Sequence, residues 1–467
     1  MAHLLISAAH KSSGKTTISI GLAAALSRQE MVVQTFKKGP DYIDPMWLGH
    51  ATTRPCFNLD YYTMSRAEIL TTFTHQSQAA DISLIEGNKG LYDGLDLDGS
   101  NSNAALATLL DAPVVLVIDA RGMTRGIAPL ILGYQAFDPA INITGVILNK
   151  VGGTRHEGKL RAIIEHYTDL KVLGAVHRDP RLEIQERHLG LMPSNEAPEA
   201  EAKIEVIRDL VAAQVDMDAI AGIAKTAPAI ESAPPPLTVV PTPDIKIGIA
   251  RDSAFGFYYP DDLGALEVAG AELIPIDLTN DAALPEIDGL FIGGGFPETR
   301  MDALEANSAM RAAVLHAIEN GLPSYAECGG LMYLARSLTW QGVTRRMAGV
   351  IPGDIVMHDI PQGRGYVRLQ ETGDGLWPKI ENETENTDDI PAHEFHYSSL
   401  ENLEGKPAFA YRVMRGHGID GQRDGIVMHN LLACYAHLRD VQANHWTRRF
   451  TSFVRRHKAT RCTGVSR

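Results

Sequence analysis

Two short stretches of this chain carry residues whose types and spacing can do chemistry. Residues 10–17, HKSSGKTT, directly follow the apolar run LLISAA. A loop of this kind offers successive backbone N–H groups to a phosphate at a helix N-terminus, while a lysine reaches the outer phosphates and a hydroxyl ligates magnesium. Gly14, Lys15 and Thr16 stand in those roles with Thr17 beside them, and Ala9 replaces the usual first glycine. An apolar strand before the loop and a helical pattern after it supply the context the motif needs. Magnesium takes further oxygen ligands. Glu86 ends the apolar segment DISLIEG, and KKGPDYIDP carries Asp41 and Asp44 on a proline-bounded loop, so Glu86 and either aspartate are candidates. NKVGG after ITGVIL makes Asn149 a candidate adenine contact.

The second stretch is LPSYAECGGLMYL, which sets Cys328 between a β-run and a helix opening on Gly329 and Gly330. A sharp strand-to-helix turn exposes a nucleophile and places it at a helix N-terminus, a setting that favours a thiolate. Backbone donors for an oxyanion are expected from the glycine-rich loop FIGGGFPE, at Gly294 or Gly295. A cysteine nucleophile pairs with a histidine distant in sequence, and NLLACYAHLRD offers His437 after an apolar segment. HEFHYS holds His393, Glu394 and His396, but its spacing differs from a helical zinc site and puts the two histidines on opposite faces of a strand. We therefore assign no structural zinc there.

These residues need elements to position them. Before residue 224, β-rich runs (LLISAA, DISLIEG, APVVLVIDA, ITGVILNK) alternate with helical stretches (TTISIGLAAALSRQ, RHEGKLRAIIEHY), the pattern of a mostly parallel sheet covered by helices. Residues 224–244, AKTAPAIESAPPPLTVVPTPD, are too rich in proline for a helix and read as an extended spacer. The pattern restarts with IKIGIA, DGLFIGGG and LPSYAECGG, with the helical stretch ETRMDALEANSAMRAAVLHAIENG between the last two. The expected organisation is an α/β domain over 1–223, a linker over 224–244 and a second α/β domain over 245–467.

Composition narrows the function further. At 467 residues and 45% hydrophobic, the chain is long enough for two or three packed domains. A net charge of −14 argues against binding nucleic acid through the global field, so an anionic ligand must be held by local basic groups. The basic segment RRFTSFVRRHKATRC reads as a solvated helix face. Four cysteines without CxxC spacing suggest neither a zinc ribbon nor a disulfide framework, which fits the cytoplasm. The first residues lack the pattern of a signal peptide, and no segment approaches the roughly 18 apolar residues of a membrane span.

Together SSGKTT, FKKGPDYIDP, FNLDYY, EGNKGLYDG, DARGMTR, GVILNKVG, HLGLMPSNE, RDSAFGFYYP, GGGFPE, YAECGGLMYL, HEFHYS and CYAHL resemble the cobyrinic acid a,c-diamide synthase family along nearly the full chain. The resemblance implies an N-terminal P-loop, dethiobiotin-synthetase-like parallel-sheet domain and a C-terminal class I glutamine amidotransferase-like α/β domain. It implies ATP and Mg2+ as cofactors, and glutamine and a tetrapyrrole polycarboxylate as substrates: acetate side chains a and c are phosphorylated in turn and ammonia displaces the phosphate. Lys15 and Thr16 would hold phosphate and metal, Asp41 and Glu86 would complete the metal site, Cys328 would be the nucleophile and His437 its base. Where many such amidotransferases carry an acid two residues past the histidine, this chain has Arg439, so a catalytic dyad is expected. GNKGL stands where the family commonly has GVMGL, adding Asn88 and Lys89. Asp44, Lys89, Arg178, Arg181, Arg187 and His188 are the candidate tetrapyrrole contacts. The macrocycle stays open between cobyrinic acid, sirohaem and nickel sirohydrochlorin, and a homodimer is compatible with the resemblance. The rivals are a cobyric acid synthase-type amidase, dethiobiotin synthesis and a regulatory P-loop ATPase. The last would carry a lysine where His10 stands and has no use for Cys328.

Overall fold

A computed structural model describes residues 1–184, 186–187, 190–195, 200–230, 240–380 and 389–462. The chain divides into two compact units, Met1–Pro236 and Leu237–Arg467, which meet inside the proline-rich segment.

The first unit is built on strands β1 (His3–Ala8), β2 (Val33–Lys38), β3 (Phe57–Leu59), β4 (Ile82–Glu86), β5 (Val114–Asp119), β6 (Ile143–Val151) and β7 (Lys171–His177). They form one sheet in the order β3-β2-β4-β1-β5-β6-β7, with every neighbouring pair parallel. Strands covered by helices on both faces read as continuous apolar runs, because alternation is needed only where one face meets water. Val115, Leu116 and Val117 of β5 are fully buried, each side chain contributing roughly 1.5–3 kcal/mol. Parallel strands bring all their C-terminal ends to one edge, and the connections from β1 and β4 leave in opposite directions. A ligand crevice is expected at such a divergence. The glycine loop follows β1 and Glu86 ends β4, so both belong to it. Helix α1 (Lys15–Arg28) begins at the loop, and α2 (Ile43–Thr52) follows β2.

The second unit holds a nine-stranded sheet. Its strands are β8 (Ile245–Ala250), β9 (Ala271–Ile276), β10 (Gly289–Ile292), β11 (Ser324–Glu327), β12 (Gly363–Glu371), β13 (Ile390–His396), β14 (Ala408–Arg415), β15 (Arg423–Met428) and β16 (Leu431–Cys434). The order is β9-β8-β10-β11-β16-β15-β14-β12-β13, parallel from β9 to β16 and antiparallel beyond. Only the parallel part was legible in the apolar runs. Strand β13 alternates buried and half-buried residues along its length, the signature of a half-covered strand with no apolar run to announce it. A separate four-stranded sheet joins Ala335–Trp340, Val343–Arg346, Ile351–Met357 and Ser398–Glu401.

The single helical stretch expected before Cys328 is divided into a 3-10 turn, Pro297–Arg300, and helices Met301–Ala306 and Ser308–Glu319. Asn307 leaves helical backbone at ψ 64°, and its side chain accepts a hydrogen bond from the N–H of Met310 to start the next helix. The basic tail is the helix Trp446–Cys462. It buries Trp446, Phe450 and Val454 in the core and spends Arg455 on Asp244 and Lys458 on Asp288. Among the described residues no helix is long and apolar enough to cross a membrane.

Candidate active site

In the first unit the phosphate loop closes on Gly14, whose φ of 84° is left-handed. A Cβ there would also stand 2.1 Å from Asn149 Nδ2. Only glycine satisfies both conditions. Asn149, expected at adenine, donates that amide to the carbonyl of Ser13 at 2.8 Å. Its donor therefore braces the loop, a contact that leaves the second N–H and Oδ1 of the amide for a base. Lys15 Nζ donates to the carbonyl of Lys89 at 2.6 Å, and burial, with Lys37 nearby, lowers its pKa to about 8. Thr17 lies in the first turn of α1.

The acidic residues separate in a way the spacing did not foretell. Thr16 Oγ1 donates to Glu86 Oε1 at 2.7 Å and to Asp44 Oδ2 at 3.1 Å. Asp41 turns its Oδ1 to the backbone N–H groups of Ile43 and Asp44 at the start of α2. Of the two candidate aspartates, Asp44 is the one beside Thr16. Register explains a residue the sequence analysis missed: β2 and β4 pair Lys37 with Glu86. Lys37 Nζ, buried, donates to Asp44 Oδ2 at 2.5 Å and to Glu86 Oε1 at 2.8 Å, with Asp41 at 3.7 Å. Burial opposes the ammonium, but these carboxylates outweigh it and hold Lys37 charged. Burial likewise opposes the Asp44 carboxylate, and Lys37 overrides it, keeping Asp44 below the usual carboxylate range.

The donor set fits a hard divalent cation. Thr16, Asp44 and Glu86 offer oxygen donors, and Glu86 Oε2 is buried without a hydrogen-bond partner. The other candidate tetrapyrrole contacts are dispersed. Lys89 is exposed next to the loop, at a φ of 35°. Arg178 and Arg181 are exposed at the end of β7, three strands from β1, and Arg181 is paired with Asp179 at 2.6 Å. His188 and the side chain of Arg187 lie outside the described residues.

In the second unit Cys328 leaves β11 with φ 47° and ψ −103°, an unusual conformation for a non-glycine residue. Glycines let the elbow approach its neighbours. A Cβ on Gly329 would meet Gly295 N at 2.9 Å, one on Gly294 would meet His437 Cε1 at 2.6 Å, and one on Gly295 would meet the Ala254 carbonyl oxygen at 1.9 Å. The structure thus gathers Gly294, Gly295 and Gly329 around Cys328 and His437. His437 is fixed through its backbone: its N–H donates to the carbonyl of His393 at 2.7 Å, and Asp424 accepts from the N–H groups of Tyr435 and Ala436. Cys328, whose backbone N–H donates to the carbonyl of Cys434 at 2.8 Å, acts on the His437 imidazole and raises its pKa.

The expected dyad is incomplete. Glu327 Oε2 lies 3.2 Å from His437 Nδ1. Arg439 is wholly buried, bound to Asp261 at 2.7 Å and set over the Tyr259 ring at 4.8 Å, so the position two past the histidine is spent on an internal ion pair. Burial pulls the imidazole pKa down, but the Cys328 and Glu327 hydrogen bonds and the Glu327 charge outweigh it and raise it to about 10. In HEFHYS, His393 lies beside His437 at 6.0 Å between ring centroids, whereas His396 stacks on Tyr435 at 3.9 Å.

A thiol–imidazole elbow in one unit and a phosphate loop in the other match what known proteins share. Residues 5–191 match the CobQ/CobB/MinD/ParA nucleotide binding domain, and residues 246–444 match the CobB/CobQ-like glutamine amidotransferase domain. The cobyrinate a,c-diamide synthase of Magnetococcus marinus is 46% identical over 95% of this chain and 95% of its own length. Those of Methanosarcina acetivorans and Archaeoglobus fulgidus are 41% and 40% identical, each over 94% of this chain. The chain belongs to the cobyrinate a,c-diamide synthase family. It is accordingly a ligase of the glutamine amidotransferase type with a nucleotide-binding P-loop domain, and the family places it in cobalamin biosynthesis.

Proposed function

We propose that the chain uses ATP and glutamine to convert the a and c acetate side chains of cobyrinic acid into carboxamides, one after the other. In the second unit, Cys328 Sγ adds to the side-chain amide carbon of glutamine. His437 takes the thiol proton and returns it to the departing ammonia, Gly294, Gly295 or Gly329 donates an N–H to the oxyanion, and water releases glutamate from the thioester. In the first unit, Lys15 and the loop amides around Gly14 orient the triphosphate so that a substrate carboxylate attacks the terminal phosphorus, giving an acyl phosphate and ADP. Ammonia then displaces phosphate. Thr16, Asp44 and Glu86 would hold magnesium, which neutralises charge on the phosphates when bound. Lys89, exposed beside the phosphate loop, is the basic group offered to a carboxylate of the macrocycle.

The observation that carries this reading is the strained Cys328 elbow with His437 packed beside it against Gly294 and held by Glu327, in a chain whose other unit holds the Thr16–Asp44–Glu86 cluster. Cys328→Ala is expected to abolish glutamate release and leave ammonia-dependent amidation intact, and unchanged glutamate release would refute the nucleophile. Mass spectrometry of products from cobyrinic acid, sirohaem and nickel sirohydrochlorin offered side by side tests the macrocycle. Two successive replacements of OH by NH2 are expected on cobyrinic acid.

A further inference from the structure

The position where an acid commonly orients the catalytic histidine is occupied by Arg439, yet His437 Nδ1 is not left to solvent. The carboxylate that meets it comes from the residue immediately before the nucleophile. Neighbouring residues on a strand point to opposite faces, so Glu327 and Cys328 should not both reach one imidazole. The left-handed φ of Cys328 removes that obstacle by turning its side chain out of the alternation. Register does the rest. Glu327 pairs with Cys434 across β11 and β16, three residues before His437.

We propose that Glu327 is the positioning residue of a Cys328–His437–Glu327 triad, accepting the Nδ1 proton of His437 so that Nε2 faces the thiol, and stabilising the imidazolium formed when that proton transfers. The inference rests on the glutaminase reading above. The Sγ–H proton moves to Nε2 and its electron pair stays on sulfur, so nothing else is consumed.

Glu327 is itself held firmly. Its Oε1 accepts from Tyr325 Oη at 2.5 Å and from the backbone N–H of Leu438 at 2.8 Å, which leaves Oε2 directed at the ring. Anchoring to Leu438 ties the carboxylate to the segment that carries His437. Among the described residues, the titratable groups facing the ring are Cys328, Glu327 and His393. Burial, with His437 adding to it, lowers the His393 pKa to about 3 and keeps it neutral. The groups that favour imidazolium are therefore Cys328 and Glu327, and Glu327 is the one that meets Nδ1.

The test is Glu327→Gln in the full-length enzyme. The amide is isosteric, but whichever way it turns, its NH2 meets a donor, either Nδ1–H or the N–H of Leu438. Glutamate release is measured against pH at saturating glutamine. The kcat is expected to fall roughly a hundredfold or more with little change in the KM for glutamine. Its alkaline limb should move down by about one to three pH units, since the imidazolium loses its counter-charge. Glu327→Asp, which keeps the charge, should restore the limb and recover part of kcat. Thermal melts monitor folding, and should the Gln variant melt early, the Asp variant's limb decides alone. A Gln variant with wild-type kcat and limb overturns the proposal. So does a lowered kcat with an unmoved limb, or an Asp variant no better than Gln. Cys328→Ala separates the two ideas: if it still releases glutamate, the glutaminase reading has failed. If it does not, while Glu327→Gln behaves as wild type, only the triad has failed.

Discussion

Lys37 and His437 are both buried charges whose state is set by a neighbouring carboxylate. Taking away one member of a buried ionic cluster leaves the others uncompensated, which costs about 3–5 kcal/mol. Lys37→Met is therefore expected to lower the stability of the first unit by about that amount, because Asp44 and Glu86 would face each other with only Thr16 between them. A fall in the denaturant midpoint measures it, and a midpoint equal to the wild type would show that the cluster relaxes by protonation. For His437 the effect depends on pH. Its folded value of about 10 lies above the unfolded value of about 6.5. The stabilisation is thus complete below about 6.5 and is lost as pH rises through about 10. The melting-temperature gap between wild type and His437→Gln should narrow steadily across that window, and a constant gap would contradict the imidazolium.

At the level of elements, the elbow works because a short helix can sit directly on a strand. Helix Gly329–Leu334 approaches β10 so closely that a Cβ on Gly330 would lie 2.2 Å from the Ile292 carbonyl oxygen. Backbone cannot yield as a side-chain tip can, so Gly330→Ala must push the helix away and carry Cys328 with it. Overpacking of this kind costs about 1–3 kcal/mol. Glutaminase kcat should fall more than that stability loss explains, because displacement of about 1 Å at a nucleophile costs roughly a hundredfold. Kinetics and a melt on the same preparation separate the two effects. The Asn307 break acts at the same level: by starting a new helix at Ser308, it lets the chain turn before reaching β11.

For the whole molecule, two units with separate cores should unfold separately. Only the first holds the phosphate loop, and a ligand stabilises the unit that binds it. Denaturation is expected to show two transitions, and MgATP should move one of them. Trp47 is the one tryptophan of the first unit, while Trp340, Trp377 and Trp446 belong to the second. The transition lost from tryptophan fluorescence in Trp47→Phe should be the one that nucleotide moves. A single transition that nucleotide shifts as a whole would mean that the units unfold as one body.

By itself the sequence determined the order of the parallel strands' apolar runs, the glycine loop at Gly14–Thr16, the Cys328 elbow and the candidacy of His437. Each is a local pattern, written in residues near one another in the chain. Tertiary structure alone decided the partners. Lys37 reaches Glu86 through the register of β2 and β4, and of the two candidate aspartates Asp44 stands beside Thr16 because Asp41 is spent on the start of α2. The antiparallel half of the second sheet was hidden because half-covered strands alternate and form no apolar run. Glu327 was the least legible residue: strand alternation aims it away from Cys328, and only the positive φ at the elbow brings both to one imidazole.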